Sequence, residues 1–185
     1  MSAVRDTGIA AAIRMAVLGV VLGTLVFVVG ACTPAVPEPV GTPGVDIAAD
    51  PVEPAPWDLT TPESAVRSYL DWMSFSYRVI DPEIPVATMT SGEALRVEGF
   101  IQRNWMNGKG LEQSLGSIEF TPISEESTSA VIAAYEEWEY RYFAVDTLEY
   151  VSEPTSESYE TTYTLVKDPG GWLVDSVEAS VVGSR

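Results

Sequence analysis

The chain contains no histidine, a single cysteine and few basic residues, and each shortage narrows the possible functions. Without histidine it cannot build a Ser-His-Asp triad, a Cys-His pair or a His-bearing zinc site. Cys32 is the only thiol, so there is no CxxC pair and no internal disulfide. Only 10 Lys and Arg face 27 Asp and Glu, which argues against a nucleic-acid partner, because phosphate binding needs clustered basic side chains. We therefore expect no metal and no cofactor, and the absence of a recognisable catalytic motif favours a function other than catalysis.

The first 31 residues have the composition of an export signal. Arg5 and Arg14 precede an uncharged apolar run over residues 15–31, which ends in small residues. The positive-inside rule places the N-terminus in the cytoplasm. Two outcomes remain open, because the run is either cleaved off or retained as an uncleaved signal anchor, for which its length is at the lower limit.

The end of this run carries a short motif around the lone cysteine. Val29-Gly30-Ala31-Cys32 resembles the lipobox of bacterial lipoproteins, in which an aliphatic residue and two small residues precede the cysteine. The resemblance implies cleavage between Ala31 and Cys32, with diacylglycerol joined to the Cys32 thiol. Two acyl chains suffice for stable anchoring. We therefore expect a protein that is lipid-anchored in the cell membrane and faces outside the cytoplasm.

A proline-rich acidic segment follows the cysteine. Proline fixes backbone torsions and removes hydrogen-bond donors, and no apolar face recurs in this segment. It is predicted to be an extended spacer between the membrane and a folded domain. The chain is thus divided into a signal peptide (residues 1–31), a tether (residues 32–59) and a domain (residues 60–185).

The domain is predicted to open with a helix. Thr61 suits the N-cap, Pro62 the first helical position, and Asp81-Pro82 ends the helix. Its large apolar residues recur at helical spacing on one face: Val66, Tyr69, Leu70, Met73, Tyr77 and Ile80.

A second helix is predicted over residues 91–110. Ser91 is expected to cap it, and Asn107-Gly108 supplies a left-handed stop. Four of its side chains are expected to face inward: Leu95, Phe100, Ile101 and Trp105.

Beyond this helix the apolar period changes to two, which is typical of strands. Four strands are predicted, over residues 115–122, 129–143, 158–167 and 172–182, with a hairpin turn at residues 168–171. The second is long enough to require a bulge or bend. Helices followed by antiparallel strands indicate an α+β fold, in which the N-terminal helices pack on one face of a curved antiparallel sheet.

The opening TPESAVRSYLDWM helix and the closing YTLVKDPGGWLVDSVEA hairpin resemble the nuclear transport factor 2-like superfamily, also called SnoaL-like or ketosteroid-isomerase-like. The resemblance covers residues 60–185 and implies a cone-shaped fold. Its enzymes place an Asp inside the cone, often with His or Tyr, and the lack of histidine excludes an Asp-His dyad here. Members also dimerise through the open sheet face, so a homodimer is one expectation. The fold hosts enzymes and non-enzymes alike.

One carboxylate stands out by its phase in the second strand. Glu136 shares a face with Ile132, Ala134, Trp138, Tyr140 and Tyr142. If that face lines the cone, Glu136 lies among aromatic rings, where it could serve acid–base chemistry or ligand binding. Two structural alternatives are open: a bulge turns it to water beside Glu137, or it pairs with an inward Arg. The candidate ligand pocket comprises Glu136, Trp138, Tyr140, Tyr142 and Tyr69.

Three functions are compatible with these patterns. The first is a lipid-anchored extracytoplasmic binding or scaffold module, whose partner is a protein or an apolar small molecule. The second is an isomerase- or dehydratase-type enzyme that uses Glu136 with a tyrosine. The third is a structural envelope component that self-associates through the open face of the sheet.

Overall fold

The computed structural model describes residues 46–184. Three predicted features lie outside the described residues: the signal peptide, the cleavage site between Ala31 and Cys32, and the tether up to residue 45. In the described part, α1 (Pro62–Val79) is followed by a short 3-10 helix (Ile84–Thr88) and by α2 (Ser91–Met106). Then come the strands β1 (Lys109–Glu125), β2 (Ser129–Ala144), β3 (Thr155–Asp168) and β4 (Gly171–Ser184). None of the helices within residues 46–184 is long and apolar enough to cross a membrane.

The predicted α+β fold class is confirmed. The strands form one antiparallel sheet in the order β1-β2-β3-β4, and both helices pack on it. The core lies between the helices and the sheet, where Val66 of α1 and Val97 of α2 share a cluster with Ile132, Leu165 and Val174 of the strands.

Helix α1 begins as its sequence predicts. The Thr61 hydroxyl accepts a 3.2 Å hydrogen bond from the Ser64 amide, and the Ser64 hydroxyl accepts one of 3.1 Å from the Thr61 amide. This reciprocal pair satisfies two backbone donors that the helix itself leaves free. The last helical residue is Val79, and Ile80 after it terminates the helix by adopting a left-handed conformation with φ of 62°. Its predicted inward face is confirmed, since all six of those side chains belong to the core or pack against it.

The predicted inward face of α2 is wrong in part. Leu95 is 68% exposed and Trp105 is 60% exposed, whereas Val97 and Ile101 are buried. At 100° per residue, Leu95 points about 160° and Trp105 about 80° away from Val97. The helix also ends at Met106, earlier than predicted, and β1 takes up the residues from Lys109 onward.

The bulge expected in β2 is not found there; bulges lie instead in the two edge strands, β1 and β4. Register shifts leave one extra residue in β1 at Gly116 and another at Ile123. Two further shifts leave Asp175 and Val182 as extra residues in β4. Bulges bend and twist the strand that carries them, so the two edge strands curve while β2 and β3 keep an unbroken alternation. The predicted hairpin between β3 and β4 is confirmed, with Asp168 paired to Gly171.

The final part of the predicted tether packs on the domain. Residues 46–59 form no helix or strand apart from one bridge, yet the Trp72 indole donates a 3.1 Å hydrogen bond to the Ala55 carbonyl. The Asp58 amide donates a 2.8 Å bond to the Ser68 hydroxyl. Residues 46–59 therefore pack against the domain that was predicted to begin at residue 60. Proline lacks the backbone N–H donor but keeps the carbonyl acceptor. A proline-rich segment can therefore accept hydrogen bonds from side chains of helix α1.

Candidate functional site

A cavity of about 370 Å³ opens between helix α1 and the core face of the sheet. Helix α2 contributes Phe100 to its wall and β1 contributes Gln113. Within residues 46–184, no Lys or Arg lines this cavity. Seven aromatic side chains dominate the lining: Tyr69, Tyr77, Phe100, Trp138, Tyr140, Tyr159 and Tyr163.

Glu136 lies in the wall of this cavity and is 3% exposed. The Trp138 indole N–H donates a 2.7 Å hydrogen bond to its Oε2, and the Tyr163 hydroxyl donates to its Oε1. Both carboxylate oxygens thus have a donor. The described residues place no basic side chain within ion-pair distance of Glu136. Neither structural alternative holds, because the side chain is turned from water and has no arginine partner.

Strand geometry explains how these groups meet. Glu136 and Trp138 are two residues apart on β2, so they project from the same face of the sheet. On β3, Tyr159 lies directly opposite Glu136, and Tyr163 lies opposite Ile132. The long Tyr163 side chain runs along the sheet and reaches the carboxylate of Glu136, four residues along β2 from Ile132. The edge-to-face contact between the rings of Tyr163 and Tyr69, at 6.4 Å, then joins the sheet to helix α1.

The structure brings together four of the five predicted pocket residues. Glu136, Trp138, Tyr140 and Tyr69 line the cavity. Tyr142 does not line it; its ring meets the Tyr140 ring edge-on at 6.2 Å, outside the lining set. At this end of β2 the fully buried residue is the next one, Phe143, because the guanidinium of Arg78 covers its ring at 4.5 Å.

One polar group of the cavity was missed by sequence reasoning. Thr161 is 3% exposed and lines the cavity, and its hydroxyl has no hydrogen-bond partner among the described residues. Thr161 alternates with Tyr159 and Tyr163 on the same face of β3, and this sequence pattern could have identified it as a cavity residue. The lack of a partner depends on tertiary packing and could not be read from the sequence.

A second buried carboxylate, Glu93 in the first turn of α2, was also missed. Its Oε1 accepts a 2.8 Å hydrogen bond from the Tyr69 hydroxyl. Its Oε2 lies 3.2 Å from Nη1 of Arg96, close enough for an ion pair but without hydrogen-bond alignment. Burial raises the pKa of Glu93, against the opposing effects of Tyr69 and Arg96. Only the tertiary fold, which packs α2 beside α1, brings this carboxylate to Tyr69.

The tyrosines of the site are held in the neutral form. Burial, and then the nearby Glu136 carboxylate, raise the pKa of Tyr163 well above its ordinary value. Burial and Glu93 do the same to the pKa of Tyr69. At neutral pH these hydroxyls therefore act as hydrogen-bond donors to the two carboxylates and are poor proton donors in a reaction. Among residues 46–184, no cluster of acidic side chains could hold a metal ion.

Comparisons with known proteins show the fold alone. No protein-family model and no curated protein sequence matches the chain. A structure similar to this chain is the intermembrane space region of the chloroplast protein ARC6, with a TM-score of 0.52 and 16% identity over 69% of this chain and 99% of that one. A scytalone dehydratase-like protein from Novosphingobium aromaticivorans has a TM-score of 0.41 and 16% identity, covering 66% and 85% of the two chains. A cystatin-like protein from Caulobacter vibrioides has a TM-score of 0.42 and 14% identity, covering 65% and 89%.

Proposed function

We propose that this domain is a binding module that takes a small, largely apolar molecule into the cavity behind helix α1. The observation that carries the proposal is the cavity itself, about 370 Å³ with aromatic walls and two buried polar groups, Glu136 and Thr161. This volume falls in the range of small-molecule sites, which are mostly apolar with a few placed polar groups. A core that served packing alone would have closed on this space, because interiors are close-packed.

Catalysis is the second candidate, and the Glu136 carboxylate in the cavity wall favours it. An isomerase or dehydratase would use Glu136 as its base and a tyrosine as its acid. The contacts argue for binding instead. Both Glu136 oxygens are already hydrogen-bonded. The Tyr163 hydroxyl, which reaches the carboxylate, donates to it and has a raised pKa.

The binding proposal is tested by blocking the mouth of the cavity. Ala179 on β4 lines the cavity and is exposed, whereas the adjacent Ser180 is exposed on the opposite face of the sheet. We expect the full chain in a neutral detergent to bind an apolar fluorescent probe, to lose that binding in Ala179→Trp, and to keep it in Ser180→Trp. Native mass spectrometry of the same preparations reports any retained ligand and the subunit number.

Other outcomes of this experiment lead to the remaining candidates. If neither the wild-type chain nor Ser180→Trp binds the probe, the cavity is not a binding site. The function then lies with a protein partner or, if the subunits associate, with a homodimer or a structural assembly. Turnover that is lost in Glu136→Gln would instead establish an enzyme.

We also propose that the domain is displayed outside the cytoplasm on a lipid anchor at Cys32. The support is the sequence alone: the apolar run before Val29-Gly30-Ala31-Cys32 and the proline-rich segment after it. Cys32→Ser should accumulate as a larger, unprocessed precursor that no longer incorporates a labelled fatty acid. A wild-type chain that itself keeps its N-terminus and takes up no fatty acid would establish the uncleaved signal anchor instead.

A further inference from the structure

The cavity wall holds a buried carboxylate that has no basic partner among residues 46–184. Glu136 is 3% exposed, and each of its two oxygens accepts one hydrogen bond. Its two donors, Trp138 and Tyr163, are neutral side chains. A buried charge is costly unless an opposite charge compensates it, and no Lys or Arg in the described part of the chain lines the cavity.

The rest of the wall is suited to a positive charge. The π faces of aromatic rings are electron-rich and attract organic cations, most strongly where water is excluded. Aromatic side chains surround the cavity from both sides, with Tyr69 and Tyr77 on helix α1 and Trp138, Tyr159 and Tyr163 on the sheet. Among the described lining residues, the Glu136 carboxylate is thus the acidic group of an aromatic wall without Lys or Arg.

A third group can accept a hydrogen bond from the ligand. The Thr161 hydroxyl is buried in the wall and has no partner among the described residues. Ala134, opposite Thr161 on β2, lies between the positions of Ile132 and Glu136 on the same face. An N–H group of a ligand near Glu136 could therefore use the Thr161 oxygen, whose burial is otherwise uncompensated.

We propose that the ligand of this cavity is an organic amine that is protonated at neutral pH and carries a small apolar body. Its ammonium group faces the Glu136 carboxylate and the aromatic rings, and donates to Thr161. This inference rests on the proposed binding function and specifies its ligand class. The excess of acidic over basic residues adds a weaker, long-range attraction for cations.

The test compares two probes of equal size and shape that differ in charge. Phenethylamine is a cation at neutral pH, and phenethyl alcohol is its neutral counterpart. Binding of each to the full chain in dodecyl maltoside is followed by calorimetry and by tryptophan fluorescence, since Trp138 lines the cavity. We expect the amine to bind at least about 10-fold more tightly than the alcohol, because only the amine gains the ion pair and the cation–π contacts.

Two variants with the same change in net charge assign this preference to the cavity. Glu136→Gln keeps the shape of the side chain but carries no charge, so it should remove most of the preference for the amine over the alcohol. Glu137→Gln, on the exposed face of the same strand, should preserve the preference. Thr161→Val should weaken amine binding without loss of stability, because the hydroxyl has no partner to lose.

Each result decides the inference. A preference for the amine that Glu136→Gln removes and Glu137→Gln keeps supports it. Equal binding of the two probes by the wild-type chain overturns the ligand class and leaves the binding function standing. A preference that survives in Glu136→Gln also overturns it. Binding of neither probe overturns the ligand class; if the apolar fluorescent probe fails as well, the binding function falls with it.

Discussion

The indole N–H of Trp138 donates a 2.7 Å hydrogen bond to Oε2 of Glu136, two residues earlier on the same strand. The contact is possible because residues two apart project from one face of a strand. Tyr163, from the adjacent strand, donates to the other carboxylate oxygen. Glu136 is thus fixed by one donor from each of two strands, and the orientation of the buried carboxylate depends on both.

The first prediction concerns the indole donor. Trp138→Phe keeps an aromatic ring in the wall but leaves Oε2 of Glu136 unpaired. It should lower the free energy of unfolding by about 1–3 kcal/mol, the usual cost of a buried group that loses its partner. Urea denaturation measures the change. Trp105→Phe is the control, because Trp105 is 60% exposed, and an equal loss in both variants would contradict the prediction.

The second prediction concerns two glycines in different surroundings. A Cβ atom at Gly110 would lie 2.1 Å from the Phe143 ring, which is fully buried, whereas a Cβ at Gly99 on helix α2 meets nothing within 4 Å. Gly110→Ala should destabilise the fold by about 1–3 kcal/mol through overpacking. Gly99→Ala should stabilise it by about 0.5–1 kcal/mol, because alanine favours the helix. Thermal unfolding of both variants checks whether the two changes in stability have opposite signs.

The third prediction concerns Arg78, which holds the segment 46–59 on the domain. Its guanidinium donates to the Ala49 carbonyl and, at 3.0 Å, to Glu112. Arg78→Met keeps an apolar stem but removes both bonds, so it should destabilise the fold by about 1–3 kcal/mol. The segment should also detach locally.

Hydrogen exchange can detect this detachment at two amides. The Ala48 amide donates to the Leu148 carbonyl, and the Tyr150 amide donates to the Asp46 carbonyl. Both should exchange faster in Arg78→Met. Arg103→Met, at an exposed position of α2, should leave them protected. Unchanged exchange in Arg78→Met would show that other contacts hold the segment.

The sequence patterns succeeded where one physical signal dominated. The face of α1 could be predicted because its large apolar residues recur at helical spacing. The predicted phase of β2 held from Ile132 to Tyr140, because the bulges lie in β1 and β4. The buried face of α2 could not be predicted in the same way, because the exposed Leu95 and Trp105 are as apolar as the buried Val97. Periodicity placed Glu136 in the wall, but its bond to Tyr163 depends on strand register, which composition does not encode. The packing of residues 46–59 depends on side-chain donors from α1 that lie 10 to 29 residues further along the chain.

The last prediction concerns the pH dependence of stability at Glu93. Burial raises its pKa above the ordinary value of 4.5, with Asp175 adding a smaller effect in the same direction. Between that value and the raised pKa, the folded state binds more protons than the unfolded state at this site. The contribution of Glu93 to the free energy of unfolding must therefore fall as the pH rises through this window, and level off above it.

Glu93→Gln should remove this decrease in the free energy of unfolding, because the amide does not titrate. The amide oxygen can still accept the hydrogen bond from the Tyr69 hydroxyl. Urea denaturation at a series of pH values from 4.5 upward measures the slope for both chains. Glu119→Gln removes an equal charge from an exposed position of the sheet and is the control. If Glu93→Gln and Glu119→Gln show the same slope, the buried carboxylate is not the source of the pH dependence. If Glu93→Gln alone is flatter, the carboxylate that fixes Tyr69 beside the cavity is held there at a cost in stability that grows with pH.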